Sequence, residues 1–250
     1  MSQSKQSQIA GEETADAKWR RLYRIGAVAP LVTLAFYMTE VLAIIFGGLA
    51  GEPYPTAAGD WLSLFQRSKV LGLLYLNALD VFSIAILGVM FLALYVALRR
   101  TSESYMAIAA LLAFVGIAAF VSSRADAVSA SLTLSGQYAA ATTESQRAQV
   151  LAAWQAAEAP VRATPQTLGF LFIAIAGLII SAVMLQGEVF GKVTAYVGIL
   201  AGVVTLADHS CIVVAPSIAG ILMPVDGLLW FVWWLLSSRG LFRLQRSISA

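Results

Sequence analysis

The sequence contains a single cysteine, Cys211, and a single histidine, His209. One cysteine excludes an intrachain disulfide and any cysteine metal cluster. One histidine excludes a bis-histidine haem and the paired histidines of an HExxH zinc site. Charge is scarce as well: Asp, Glu, Lys and Arg make up 12% of the 250 residues, roughly half the share of an ordinary soluble domain. The formal net charge of +2 leaves no case for nucleic-acid binding. Lysines occur only at positions 5, 18, 69 and 192, at boundaries or in a tail, so no mid-helix Schiff base to retinal can form. No GxxxxGK[ST] is present, so the LSGQ at 134–137 is not part of a nucleotide-binding engine. The TLSG at 133–136 lacks the first glycine of an intramembrane serine-protease GxSG.

What the chain has in abundance is apolar sequence. Apolar residues make up 59% and mean hydropathy is +0.79, arranged in separate runs of roughly 20 residues, which predicts a polytopic membrane protein. Six spans are expected, at 25–48, 69–98, 104–123, 166–186, 190–208 and 218–238. The runs are continuously apolar, without the period-two alternation of lipid-facing strands, so an all-α bundle is expected rather than a barrel. Residues 1–17 read as a disordered cytoplasmic tail, 18–246 as the six-span membrane domain and 247–250 as a second cytoplasmic tail. Orientation follows from Lys and Arg. With the N-terminus inside, eleven of the sixteen lie on the cytoplasmic side and five outside, so both termini are expected in the cytoplasm.

Two outer segments are long enough to fold, giving the bundle a small outer helical cap. In 51–68, Asp60 stands as an N-cap before Trp61, Leu62, Leu64 and Phe65, predicting a short helix lying on the outer leaflet. In 124–165, Thr143 and Gln146 have capping-box spacing, and Val150, Leu151 and Trp154 share one face of the helix that follows. The fifth span is expected to break at Asp208-His209-Ser210, leaving CIVVAPSIAG (211–220) as a connector or re-entrant piece and His209 as an exposed turn residue. Gly198 and Gly202 form a GxxxG expected to serve close packing within the bundle.

The stretches DWLSLFQ (60–66), LGLLYLNALD (71–80), LYVALRR (94–100), GIAAFVSS (116–123), LSGQYAAATTESQRAQVLAAWQA (134–156) and VFGKVTAYVGILAG (189–202) resemble DUF4386, a family of uncharacterised bacterial multi-pass membrane proteins. The likeness extends from the first outer segment to the fifth helix and is weaker in the sixth. It implies a six-span helical protein of the bacterial inner membrane. The family brings no established reaction, so no catalytic residue is carried over.

Four carboxylates fall within or at the ends of apolar runs: Glu40, Asp80, Asp208 and Asp226. A charge at mid-bilayer costs about 2.5 to 3.5 kcal/mol on insertion scales, so each calls for a partner, a proton or water. Counting about 1.5 Å per residue from the nearest cytoplasmic basic residue puts all four in the outer half. A single hydrated cavity opening outward is the simplest arrangement that spares four separate penalties. The candidate ligand-binding residues are Glu40, Asn77, Asp80, Arg124 and Asp226, with Arg124 as counter-ion. Helical spacing puts Thr33 and Tyr37 beside Glu40, and Thr205 one turn before Asp208 and His209. No cofactor is expected, and Asp208 and His209 are weak candidates for a metal. These residues suit a small binding or transport protein for a cation, an amine or a proton, with the lipid bilayer as its other partner. The alternative is a non-catalytic module docking a protein through 124–165. An intramembrane metal-dependent hydrolase using His209 ranks last, for want of further histidines.

Overall fold

A computed structural model describes residues 18–163, 165–214 and 216–247; the expected tail at 1–17 and all of 247–250 but Ser247 lie outside them. Among the described residues the regular structure is helical: α1 (Arg20–Leu49), α2 (Ala58–Arg67), α3 (Lys69–Tyr75), α4 (Asp80–Leu98), α5 (Glu103–Ala140), α6 (Glu144–Ala163), α7 (Pro165–Gln186), α8 (Lys192–Val214) and α9 (Pro216–Ser247). Six segments are long and apolar enough to cross a membrane: Arg20–Leu49, Asp80–Leu98, Glu103–Ala140, Gln166–Gln186, Lys192–Cys211 and Ser217–Ser247. On α1, Ile25, Val28, Leu31, Met38, Leu42 and Ile45 are exposed, while Ala27, Thr33 and Glu40 are buried. Water would not tolerate so long an apolar stripe, and hydrocarbon is its natural solvent. The chain is a multi-pass membrane protein.

The spans differ from expectation in four places. The second, expected over 69–98, is interrupted: α3 ends at Tyr75 and α4 begins at Asp80. The third does not stop at 123. Helix α5 runs 38 residues, about 57 Å at 1.5 Å per residue, because Arg124 turns inward and no Pro or tight turn intervenes before Ala140. The fifth does not break at Asp208-His209-Ser210. There His209 Nδ1 lies 3.0 Å from the Thr205 carbonyl and Ser210 Oγ donates to the Leu206 carbonyl at 2.7 Å. Both side chains are thus satisfied one turn back, within an unbroken helix that reaches Val214. Pro216 opens the next helix, where its missing N–H is no loss. The sixth continues past 238 to Ser247.

The described residues divide into two compact units. The first takes those up to Val32, Ile86–Val115 and those from Leu171 onward. Its packing depends on small residues. Gly198 of α8 faces Ser181 of α7 and the indole of Trp233 on α9, and Gly202 faces Leu178 and the Ala174 carbonyl of α7. A Cβ at either would overlap these atoms, so the GxxxG lets α8 approach helices of its own chain. Trp233 is fully buried and lies 6.3 Å from Phe91 between ring centroids. Ser238 Oγ donates to the Ala27 carbonyl at 2.6 Å.

The second unit, Thr33–Ala85 and Gly116–Phe170, holds a core of Trp61, Leu62, Leu64, Phe65, Tyr75 and Trp154. Helix α2 packs on α3 and α6, so its apolar face lies on protein rather than on the leaflet. Asp60 is not its N-cap. The helix starts at Ala58, and the Asp60 carboxylate accepts the Ala57 N–H at 3.1 Å. The expected capping box of α6 is present: Gln146 N–H donates to Thr143 Oγ1 and Thr143 N–H to Gln146 Oε1, both at 3.2 Å. The α6 face meets α2 through the stacked Trp61 and Trp154, 6.0 Å apart, with Val150 and Leu151 beside them. The end of α5 joins through Val128, Leu134 and Tyr138, and through Ser135, which the Gln66 amide reaches. Arg67 grips Glu52 by two bonds, 3.1 and 2.7 Å, and these hold the Glu52 carboxyl below the usual range.

Candidate functional site

The interruption between α3 and α4 organises the site. At Leu76–Leu79 the backbone leaves the helix through Asn77, whose φ of +56° is left-handed. Asn tolerates that region better than most side chains. The break lies just before the span Asp80–Leu98 and leaves carbonyls at one helix end and N–H groups at the next that need partners. Two charged side chains from other helices supply the partners. Glu40 of α1 accepts the Leu79 N–H at 2.8 Å through Oε1, and Arg124 of α5 donates from Nη1 to the Leu76 carbonyl at 3.3 Å. Each charged group thus serves the end that suits its sign: the carboxylate meets the start of α4 and the guanidinium the end of α3.

Asp80, the first residue of α4, completes the group. Its Oδ2 lies 3.9 Å from Arg124 Nη2, and both side chains are only 13% exposed. Ser83 Oγ donates to the Asp80 carbonyl at 3.3 Å, and Thr33 Oγ1 to the Ser83 carbonyl at 2.9 Å. Arg124 also lies over the ring of Phe120, one turn earlier, at 5.6 Å. Glu40 is 2% exposed, and its second oxygen, Oε2, is buried without a hydrogen-bond partner. Two carboxylates therefore face one guanidinium and the N-terminus of α4. Of the residues proposed from sequence, Glu40, Asn77, Asp80 and Arg124 meet within the second unit.

Asp226 belongs to the first unit and has partners there. Its Oδ1 lies 2.6 Å from Thr205 Oγ1, which Trp230 Nε1 approaches at 2.8 Å. Asp208 Oδ2 is 3.6 Å from His209 Nδ1. His209 is not an exposed turn residue, since its side chain is 10% exposed on the helix. Among the described residues no three His, Cys, Asp or Glu side chains are placed to hold a metal ion. A cavity of about 350 Å³ lies along one face of α9, lined by Leu235, Ser238, Arg239, Phe242, Arg243 and Arg246, none of them a candidate acid. Leu76 and Leu79 take part through main-chain atoms, which side-chain patterns do not announce; the turn-prone Asn77 and the helix-start Asp80 are the signals in the sequence.

The sequence matches the family described as Domain of unknown function (DUF4386) over residues 32–238. The chain belongs to the DUF4386 family. The match extends through most of the sixth span, further than expected, and takes in Glu40, Asn77, Asp80, Arg124, Asp208 and Asp226. No curated protein and no solved structure matched the chain. The interrupted helix and its two charged clamps therefore lie inside the DUF4386 region.

Proposed function

We propose that this DUF4386 protein binds a small cation, a monovalent metal ion or a proton, at Glu40 and Asp80, as a binding or transport protein of the bacterial inner membrane. The observation that carries the reading is the buried, unpartnered Oε2 of Glu40 in a group of two carboxylates and one guanidinium. With both acids ionised, one formal negative charge is left over among the described residues of the group, and the N-terminus of α4 offsets only about half a charge. A desolvated surplus of that kind favours a bound positive species. The Lys and Arg distribution supports both termini in the cytoplasm, which would turn the Glu40 end of α1 toward the outside.

A second reading, favoured by the bonds from Glu40 to Leu79 and from Arg124 to Leu76, makes the group a clamp that keeps the interrupted helix in shape. Docking of a partner through 124–165 has less support, because Trp154 is 5% exposed and committed to the chain's own core. The test is thermal unfolding of the purified protein in detergent, at constant ionic strength, in Li+, Na+ or K+ chloride and across pH. Binding requires that one of these cations, or protons, raise the midpoint in the wild type and that Glu40→Gln abolish the rise. If Glu40→Gln leaves every cation and pH response of the wild type unchanged, only the clamp remains.

A further inference from the structure

The hydroxyl of Thr205, on α8, is the hub of three close polar contacts. Its Oγ1 lies 2.9 Å from the Ala201 carbonyl oxygen, 2.6 Å from Asp226 Oδ1 and 2.8 Å from Trp230 Nε1. A hydroxyl has one hydrogen to give and two lone pairs to offer. The indole N–H can only donate, so it takes one lone pair. The Ala201 carbonyl can only accept, so it asks for the hydrogen. An ionised Asp226 would ask for the same hydrogen, and one of the two oxygen–oxygen contacts would then bring acceptor against acceptor. Thr205 is 1% exposed and Trp230 8%, so at the hydroxyl itself water has little access to relieve the conflict, although Asp226 is only half-buried.

A hydrogen on Asp226 resolves it. The acid O–H then donates to Thr205 Oγ1, the Thr205 hydrogen goes to Ala201, and the indole N–H takes the remaining lone pair. All three contacts become hydrogen bonds, and 2.6 Å is a good O–H···O distance. From this inventory we infer that Asp226 is a proton-binding site, a neutral carboxylic acid that donates to Thr205. The pocket is shaped for that pairing. Gly177 of α7 leaves room for the tip of the Trp230 ring, where a Cβ would overlap it, and so lets Nε1 reach the hydroxyl. The titratable groups nearest this acid are Asp208 and His209 of α8. Helix α7 carries no titratable side chain along its length. The neighbouring acid favours a proton on Asp226, and His209, whose Nδ1 faces the Thr205 carbonyl, opposes it only when its own ring is charged. The inference uses none of the residues at the α3–α4 break and stands or falls apart from the reading given to them.

Infrared spectroscopy reads the proton directly. Protein carrying aspartate labelled with 13C at the side-chain carboxyl carbon, purified at neutral pH, should show a protonated-carboxyl C=O band that the label shifts. Glutamate bands, Glu40 included, do not respond to that label. Asp226→Asn should remove the band while keeping the fold, because the amide N–H can donate to Thr205 in place of the acid. Thr205→Val should move the band without removing it, since the acid stays and loses the oxygen that accepted its hydrogen. Absence of a labelled acid band from the wild type, or its persistence unchanged in Asp226→Asn, would overturn the inference. Should Asp226→Asn fail to fold, the Thr205→Val spectrum decides: an unmoved band rejects the inference and a shifted one supports it.

Discussion

Replacing Arg124 by Met takes the guanidinium from between two carboxylates, whereas replacing Asp80 by Asn takes away one of the two. The structure makes these changes unequal. At the 3.9 Å separation of Arg124 and Asp80, and an effective dielectric near 20, the attraction is about 4 kcal/mol. Removing one partner of a buried pair typically costs about 3 to 5 kcal/mol, because the other charge is left uncompensated. Arg124→Met strands Glu40 and Asp80 together and leaves the Leu76 carbonyl without its donor, so the full penalty of about 3 to 5 kcal/mol is expected. Asp80→Asn leaves Glu40 facing Arg124 in a one-to-one balance and should cost less than about 1 kcal/mol. Combining the two changes should recover at least about 1 kcal/mol relative to Arg124→Met alone, a coupling that a double-mutant cycle isolates. The assay is unfolding of the purified protein in mild detergent by titration with a denaturing detergent, followed by circular dichroism. Equal losses from Arg124→Met and Asp80→Asn would mean that the group is a balanced pair with no surplus charge, and the case for a bound cation would fail with it.

Further tests address packing and capping. Gly47→Ala would drive a methyl into the Tyr75 hydroxyl, which donates to the Glu52 carbonyl at 2.7 Å; a loss of about 1 to 3 kcal/mol is expected in the same assay. Trp154→Ala empties a buried site stacked on Trp61, and should cost about 3 to 5 kcal/mol and expose the α2–α6 contact to limited proteolysis. Thr143→Ala removes one arm of the α6 capping box, and a loss of about 1 kcal/mol should follow. The Glu52–Arg67 pair sets a pH dependence. Its bonds hold the Glu52 carboxyl below its ordinary value of 4.5, so any stabilisation is present above that value and is lost as pH falls through the folded one. The difference in unfolding midpoint between wild type and Glu52→Gln should therefore shrink on acidification, and a difference that grows would contradict the pairing.

The membrane class, the helical fold and the capping box of α6 were legible because each rests on local pattern. Run length gives spans, and Thr143 to Gln146 is a three-residue spacing. The third and fifth spans differ from expectation for one reason: a charged or polar residue need not end a helix. On pattern alone Arg124 closes the third span and Asp208-His209-Ser210 breaks the fifth. In the fold Arg124 turns into the protein to meet Leu76, and the polar groups of His209 and Ser210 reach back to carbonyls one turn earlier. Where a real break occurs, at Leu76–Leu79, two polar residues flank it, Asn77 within the turn and Asp80 at the start of the next helix, so that here a charge does mark a helix end.

That reversal bears on how intramembrane charge is read. Counting residues along separate helices put Glu40 and Asp80 at similar depth and suggested that acids meet acids. Height along a helix says nothing about which backbone groups lie across from it. At the α3–α4 break the unsatisfied N–H of Leu79 and carbonyl of Leu76 are themselves reasons for a carboxylate and a guanidinium to be there. A clamp needs one oxygen of Glu40 and none of the negative charge of Asp80. The second oxygen of Glu40 and the second acid exceed what the clamp uses, and the proposal of a bound cation rests on this excess rather than on the presence of acids in the membrane.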